Sequence, residues 1–137
     1  MATSADSPLS QYFYVSQLAC GSNAASVAAI LAQAREGNAR HGITGLLVFD
    51  GQNFVQYLEG PSAAVQSLAA RIAADPRHAG MSVLHRGPLP RRRCARYELG
   101  YADPTEEGAL TALLGPLRGE PALMRFLSMR TTFDVRL

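Results

Sequence analysis

Asn53-Phe54-Val55-Gln56-Tyr57-Leu58-Glu59-Gly60 is the stretch that decides the fold of this 137-residue chain. Its alternation predicts a β-strand with Phe54, Gln56 and Leu58 on one face. Gln56 is then a polar side chain between two large apolar ones, and burying it without partners would cost about 1–3 kcal/mol. Taken alone, the pattern favours a glutamine bonded to neighbouring backbone, and the alternative is a residue of a binding site.

Composition describes one soluble globular domain. Hydrophobic residues make up 47% of the chain and charged residues 18%, and the formal net charge is +2. These values exclude a disordered chain and give no support for a nucleic-acid partner. No apolar run approaches the roughly 20 residues of a membrane span, and the first ten residues lack a secretory signal pattern. Cys20 and Cys94 have no metal-site spacing, which favours free thiols in a cytoplasmic protein.

The predicted elements follow the order β-α-β-β-α-β, with one further strand. The strands are predicted at residues 11–16, 43–49, 53–60, 81–84 and 96–101. The first helix is predicted to end at about Glu36, with Gly37 stopping it and Asn38 just beyond its end. A second helix closes at Asp75-Pro76. This order predicts an α+β fold, a ferredoxin-like βαββαβ(β) mixed sheet with two helices on one face.

The other face of the sheet also needs a cover. The strand at 43–49 is apolar on both sides, which is typical of a strand buried on both faces. The tail has apolar residues at helical spacing in two runs, Leu110, Leu113 and Leu114, then Leu123, Phe126 and Leu127. They predict a C-terminal helical cap, or apolar surface for a second subunit. The predicted organisation is a flexible N-terminus at 1–10, a domain at 11–102 and the cap at 103–137.

Enzyme motifs are scarce. The chain has no phosphate-binding loop, no dinucleotide fingerprint and no HExxH, and its histidines are not spaced as a metal set. Arg91-Arg92-Arg93 lacks interleaved aromatic residues and is interpreted as a solvated turn rather than a nucleic-acid patch. Polar side chains that can converge on the helix-covered face remain, namely Tyr14, Ser16, Asn38 and Gln56. Hydroxyls and carboxamides among apolar residues suit a flat ligand with a heterocyclic polar edge.

Four ordered blocks resemble the BLUF family, sensors of blue light using flavin. The blocks are Tyr14-Val15-Ser16, Asn38-Ala39-Arg40-His41-Gly42-Ile43-Thr44-Gly45-Leu46-Leu47, Phe54-Val55-Gln56-Tyr57-Leu58-Glu59-Gly60-Pro61 and Arg71-Ile72-Ala73-Ala74-Asp75-Pro76-Arg77-His78. Their order and spacing, rather than any single block, make the resemblance specific. It implies a ferredoxin-like mixed sheet with flavin between the two helices, in agreement with the element order.

The resemblance also implies roles for individual residues. Tyr14 matches the family's photoactive tyrosine, Gln56 its switching glutamine and Asn38 the asparagine that bonds the flavin ring edge. Other matching cofactor positions are Ser16, Arg71, Arg77 and His78. Arg77 and His78 are expected near the ribityl-phosphate end, whereas a solvated helix face explains Arg71 equally well. The implied cofactor is FAD, with FMN as the alternative.

The implied mechanism is a light-driven exchange of hydrogen bonds. Excited flavin is a strong oxidant, and Tyr14 would transiently give it an electron and a proton. Gln56 would bridge the hydroxyl and the ring. A carboxamide donates at one end and accepts at the other, so rotation or tautomerisation of Gln56 exchanges donor for acceptor. The result would be a reversible, red-shifted signalling state.

Two residues of the fifth strand depart from the family pattern. Tyr97 stands where tryptophan is common, and Leu99 where methionine is common. Leucine has a similar volume but lacks a sulfur acceptor. Flavin binding is little threatened by these changes, whereas signal transmission through Tyr97 and Leu99 is in question.

We therefore expect a non-enzymatic, cytoplasmic blue-light photoreceptor that signals to a separate protein partner. A homo-oligomer, dimer or higher, is also expected, without nucleic-acid or membrane partners. The alternative is a flavin-binding or apo interaction module that has lost photoswitching, for which Leu99 is the reason. A third hypothesis is a small enzyme using Arg77 and His78 on an anionic substrate, and no nucleophile or metal set supports it.

Overall fold

The computed structural model describes residues 8–101, 117–129 and 134–136. These residues form six strands and three helices. In chain order the elements are β1 (Leu9–Leu18), α1 (Ala24–Arg40), β2 (Thr44–Phe49), β3 (Asn53–Pro61), α2 (Ser62–Ala74), β4 (His78–Leu89), β5 (Tyr97–Tyr101), α3 (Gly119–Ser128) and β6 (Asp134–Arg136).

The described strands form one mixed sheet in the order β4-β1-β3-β2-β5-β6. β3 pairs antiparallel with both β1 and β2, β4 pairs antiparallel with β1, and β5 runs parallel to β2. The split β-α-β arrangement of β1 to β4 confirms the predicted ferredoxin-like α+β fold. β5 is the predicted further strand, and β6, antiparallel to β5, is a strand that the sequence pattern did not predict.

Both faces of the sheet are covered, as the apolar pattern of β2 predicts. Leu47 of β2 packs with residues of α1, whereas Leu46 lies on the other face in a cluster that includes Leu123 and Phe126 of α3. The ring of Phe126 stacks on that of Phe13 at a centroid distance of 5.3 Å. Burial of such side chains contributes about 1.5–3 kcal/mol each. The second helix of the predicted cap is thus confirmed, and the first, at Leu110 to Leu114, lies outside the described residues.

The first helix is longer than predicted, and the predicted stop at Gly37 is wrong. α1 continues through Gly37 to Arg40, and positive φ is reached only at Gly42. A glycine inside a helix costs about 1 kcal/mol relative to alanine, a penalty small enough for packing to outweigh. The backbone N–H of His41 bonds the carbonyls of Gly37 and Asn38 and closes the last turn. Asn38 therefore lies within the helix rather than beyond its end.

Two strands also extend past their predicted limits. β4 covers 12 residues rather than four and includes Pro88, which was expected in a loop. Proline fits there because β4 lies at the edge of the sheet, where a missing N–H breaks no second ladder. β1 begins at Leu9, so Leu9 and Ser10 belong to the sheet and not to the segment predicted to be flexible. Residues 1–7 lie outside the described part of the chain.

Candidate functional site

A cavity of about 230 Å³ lies between α1 and α2 on the helix-covered face of the sheet. Three sheet residues, Tyr14, Leu47 and Gln56, contribute to its lining. Polar residues at the end of α2 and the start of β4 also line it, namely Arg71, Asp75, Arg77 and His78. The cavity thus combines an apolar interior with a more exposed polar end, the layout that suits an organic ligand with an anionic tail.

The sheet register places the central polar residues side by side. Tyr14 of β1 pairs directly with Gln56 of β3, and Gln56 pairs with Leu47 of β2, which in turn pairs with Leu99 of β5. Side chains in one cross-strand row project from the same face. Tyr14 is 0% exposed and Gln56 is 3% exposed, so the predicted shared face for these two residues is confirmed by the structure.

The carboxamide of Gln56 is bonded to a phenol at each end. Its Nε2 donates to the Tyr14 hydroxyl at 2.5 Å, and the Tyr97 hydroxyl donates to its Oε1 at 2.5 Å. The sequence pattern of the strand alone favoured hydrogen bonds from Gln56 to neighbouring backbone. In the structure its partners are instead side chains on two other strands. The three side chains form a hydrogen-bonded chain across β1, β3 and β5, which we call the Tyr14–Gln56–Tyr97 chain.

Burial keeps both phenols protonated. It raises the pKa of Tyr14 far above its usual value of 10, against a smaller lowering by the Gln56 hydrogen bond. Burial, reinforced by the nearby Tyr14, raises the pKa of Tyr97 well above that value as well. Desolvation disfavours the phenolate, so both hydroxyls keep a proton to donate at neutral pH. A buried, protonated phenol beside a cavity can act as an electron and proton donor.

Asn38 presents a buried donor to the cavity. It sits in the last turn of α1, is 2% exposed and lines the cavity. Its Nδ2 makes no well-formed hydrogen bond to the described residues, although the Asn38 side chain interacts with the Tyr97 hydroxyl and opposes the rise in the pKa of Tyr97. A buried amide N–H₂ left unpaired costs about 1–3 kcal/mol, which an acceptor on a bound molecule would recover. Flavin carries carbonyl oxygens and ring nitrogens along one edge, so this donor set fits a flavin.

The polar end of the cavity is held together by Arg77. Its Nη2 lies 2.7 Å from Oδ2 of Asp75 and 2.8 Å from Oε1 of Gln33, and its Nε lies 3.0 Å from Oδ1 of Asp75. These hydrogen bonds from Arg77 lower the pKa of the Asp75 carboxyl below its usual 3.8. Gln33 belongs to α1, so the guanidinium joins that helix to the turn that follows α2.

The remaining predicted site residues differ in where they lie relative to the cavity. His78 lines the cavity, and its Nδ1 lies 2.8 Å from Oγ of the buried Ser16, which is absent from the cavity lining. Burial lowers the pKa of His78 below 6.5 and keeps the ring neutral at pH 7. Arg71 is exposed, although it lines the same end. Leu99 lies in the cluster with Leu47 and Phe54 under α1.

Sequence reasoning missed two contributors to the site, Asp75 and Gln33. Asp75 was interpreted only as a helix stop, although its spacing of two residues from Arg77 in a turn favours an ion pair. No sequence signal points to Gln33, because its contact joins residues 44 positions apart. The direct bond between Tyr97 and Gln56 was also missed.

Other classes of site have no support in the described part of the chain. Within it, no group of three or more His, Cys, Asp or Glu side chains is placed to hold a metal ion. None of its helices combines the length and apolar character needed to cross a bilayer.

Comparison with known proteins matches the chain to one family. The model of the BLUF family, described as sensors of blue-light using FAD, matches residues 9–100. The chain is 37% identical over 92 residues to the photoactivated adenylate cyclase subunit beta of Euglena gracilis. That match covers 67% of this chain and 11% of the cyclase subunit. The chain thus spans about a tenth of the length of the curated relatives it matches first.

Solved structures of the same kind share the fold. The dark-state structure of BlrB, a BLUF protein, superposes with a TM-score of 0.64 at 29% identity, covering 90% of this chain and 86% of that one. Klebsiella pneumoniae BlrP1 with FMN and cyclic diGMP superposes with a TM-score of 0.66 at 31% identity, covering 88% of this chain and 34% of BlrP1.

Proposed function

The chain belongs to the BLUF family of blue-light sensors, and from that premise we propose that the Tyr14–Gln56–Tyr97 chain is its light-driven switch. The observation that carries this proposal is the bonding of Gln56 to a neutral phenol at each end, beside a cavity between two helices. Such an element has two hydrogen-bonded arrangements of the same atoms, which is what a switch requires.

The cavity is proposed to hold flavin, as FAD, with FMN as the alternative. Asn38 would bond the ring edge through its unpartnered Nδ2. Arg77 and His78, with the more exposed Arg71, would face the ribityl-phosphate end, and Ser16 would orient His78. The solved BlrP1 structure contains FMN, which supports a flavin here without choosing between the two forms.

Light chemistry is assigned to Tyr14 and Gln56. When bound, flavin supplies blue-light absorption and, once excited, a strong oxidant. Tyr14 holds its proton in the dark because burial disfavours the phenolate, so its hydroxyl can give up an electron and a proton together and recover both. Gln56 responds by rotation or tautomerisation, which exchanges the donor and acceptor ends of its amide. The rearranged hydrogen bonds define the signalling state.

The surroundings leave Gln56 only 3% exposed, which limits the access of water to its amide. Leu47, Phe54 and Leu99 form a buried cluster with Ile30 and Leu31 of α1 next to the switch. Among the described residues, the hydrogen-bond partners of the Gln56 amide are the two phenols, so a change in the bond at one end of the amide alters the bond required at the other end.

The output is proposed to be a contact with another protein. Because the match to the cyclase subunit covers only 11% of that protein, we propose that this domain has no catalytic activity of its own. We also propose that it signals to a separate partner, as a homo-oligomer in the cytoplasm. The enzyme hypothesis based on Arg77 and His78 is not favoured, because both residues line the end of the cavity that is proposed to hold the ribityl-phosphate of flavin.

Absorption spectroscopy of the purified chain tests the proposal. Protein supplied with FAD or FMN should be yellow, and blue light should shift its flavin band to longer wavelength, with full recovery in the dark. A protein that takes up neither flavin would contradict the proposal. A bound flavin with a light-insensitive spectrum would instead favour a module that has lost photoswitching, the alternative that Leu99 suggests.

A further inference from the structure

Tyr97 reaches Gln56 across an intervening strand. It lies at the first position of β5 and pairs with Gly45 of β2, which separates β5 from β3. Residue 45 is a glycine, so β2 carries no side chain at the position paired with Tyr97. A Cβ there would lie only 1.9 Å from the carbonyl oxygen of Tyr57, so glycine is required. The parallel pairing of β5 with β2 places Tyr97 where its hydroxyl reaches Oε1 of Gln56.

A phenol differs from the other aromatic side chains in the hydrogen bonds that it can form with an amide. Its oxygen both donates and accepts a hydrogen bond, whereas the indole of tryptophan only donates and phenylalanine does neither. In the structure, Tyr97 donates to Oε1 of Gln56. If Gln56 rotates, its Nε2 faces Tyr97; if it tautomerises, its oxygen gains the proton. In either form, the end facing Tyr97 turns from an acceptor into a donor.

We propose that Tyr97 is a two-way hydrogen-bond partner of Gln56, donating in the dark arrangement and accepting in the light-driven one. This inference rests on the proposed function and concerns how its signalling state is held. No covalent bond of Tyr97 is made or broken: its hydroxyl turns about the C–O bond, and its oxygen accepts a hydrogen bond from the N–H or O–H that Gln56 now presents. Tyr97 is a positioning residue, since it acts through Gln56.

The consequence is a longer-lived signalling state. With Tyr97 present, both arrangements of Gln56 are bonded at both ends. With tryptophan at this position, the rearranged amide would point a donor at a donor and leave a buried N–H unpaired. That loss should accelerate dark recovery by roughly 5-fold or more, the effect of one unsatisfied buried donor. With phenylalanine, both arrangements lose one bond, so recovery should change less.

Dark-recovery kinetics of flavin-loaded wild type, Tyr97→Trp and Tyr97→Phe test the proposal. Tyr97→Trp should recover fastest, at least about 5-fold faster than wild type. A Tyr97→Trp rate equal to or slower than that of wild type would overturn it, because an aromatic residue that only fills space would not distinguish indole from phenol. Tyr57→Phe is the matched control, since Tyr57 follows Gln56 but its ring lies on the opposite face. It should recover at the wild-type rate.

Infrared difference spectroscopy keeps the proposal testable if the tryptophan variant does not fold. With isotope-labelled tyrosine, wild type should show a light-induced change in a tyrosine C–O band that Tyr97→Phe lacks and Tyr57→Phe retains. Identical tyrosine bands in wild type and Tyr97→Phe would overturn the inference. If wild type itself shows no red shift, the proposed function is wrong. If wild type shows a normal red shift but no light-induced change in the band of Tyr97, only the inference about Tyr97 is wrong.

Discussion

Tyr14 and Gln56 face each other directly across the β1–β3 pair, and the Gln56 amide donates to the Tyr14 hydroxyl at 2.5 Å. Both side chains are almost fully buried in the sheet. A direct cross-strand pair is held by the backbone ladder as well as by its own hydrogen bond. The pair therefore stays in register while the amide changes orientation, so the chemistry can alter hydrogen bonding without moving the strands apart.

Replacing Tyr14 with phenylalanine should abolish the light-induced red shift while leaving flavin bound. The change removes the one hydroxyl that lines the cavity and bonds Gln56 Nε2, and it keeps the ring that packs in the core. The measurement is a light-minus-dark absorption spectrum at matched flavin occupancy. Tyr12→Phe is the control, because its ring lies 6.0 Å from that of Tyr14 in the same cluster. A normal red shift in Tyr14→Phe would refute the role assigned to Tyr14.

Replacing Asn38 with alanine should weaken flavin binding by about 2- to 10-fold, the effect of one lost hydrogen bond. The stability of the protein without flavin should change little through the loss of Nδ2, since this atom makes no well-formed hydrogen bond to the described residues. Titration followed by quenching of flavin fluorescence measures the affinity, and urea unfolding of the apoprotein measures the stability. Unchanged affinity together with a destabilised apoprotein would mean that Asn38 is purely structural.

The free energy of unfolding should fall steeply as the pH rises above about 10. Burial raises the pKa values of Tyr14, Tyr57 and Tyr97 above their usual 10, so the unfolded chain loses these protons first. Below pH 10 both states keep the protons and the stabilisation is complete. Above it, each phenol still neutral in the fold costs up to about 1.4 kcal/mol per pH unit. Denaturant titrations from pH 8 to 11.5 test this, and a shallower slope is expected for Tyr57→Phe.

Glu59→Ala should destabilise the fold by about 2–5 kcal/mol. Glu59 is fully buried on the α3 face and accepts hydrogen bonds from the backbone N–H groups of Arg93 and Cys94 and the hydroxyls of Thr44 and Tyr57. Alanine would remove the acceptor that these groups share, although Tyr57 could still donate to Gln11, and it would weaken the attachment of the segment that leads into β5. Urea unfolding measures the effect, with Glu36→Ala on the exposed face of α1 as control. A loss below about 0.5 kcal/mol would contradict this account.

Most of the correct predictions came from the alternation of side chains between the two faces of each strand. It placed Tyr14 and Gln56 on the same face, and the apolar pattern of β2 correctly required a second cover. The position of Asn38 was wrong because Gly37 was taken as a helix stop, whereas helix bonds continue through it to Arg40. Its placement inside α1 nevertheless leaves it on the cavity, so its role in flavin binding stays a prediction although its local structure was predicted wrongly.

Contacts between elements that are far apart in the chain could not be predicted from the sequence. Tyr97 bonds a glutamine 41 positions away, and that bond depends on the parallel pairing of β5 with β2. The preference of individual residues for helix or strand does not predict which strands pair or which distant side chains meet. β6 was not predicted because a strand of three residues is too short to show an alternating pattern.

The light-minus-dark absorption spectrum of Gln56→Leu beside wild type tests the central claim most directly. Leucine fills much of the same space but removes both ends of the Tyr14–Gln56–Tyr97 chain, so the hydrogen-bond exchange has no carrier. Wild type should show a red shift that reverses in the dark, and Gln56→Leu should bind flavin without any shift. Gln11→Leu, a glutamine on the opposite side of β1 whose amide bonds the Pro88 carbonyl, should behave as wild type. A full, reversible red shift in Gln56→Leu would contradict the account.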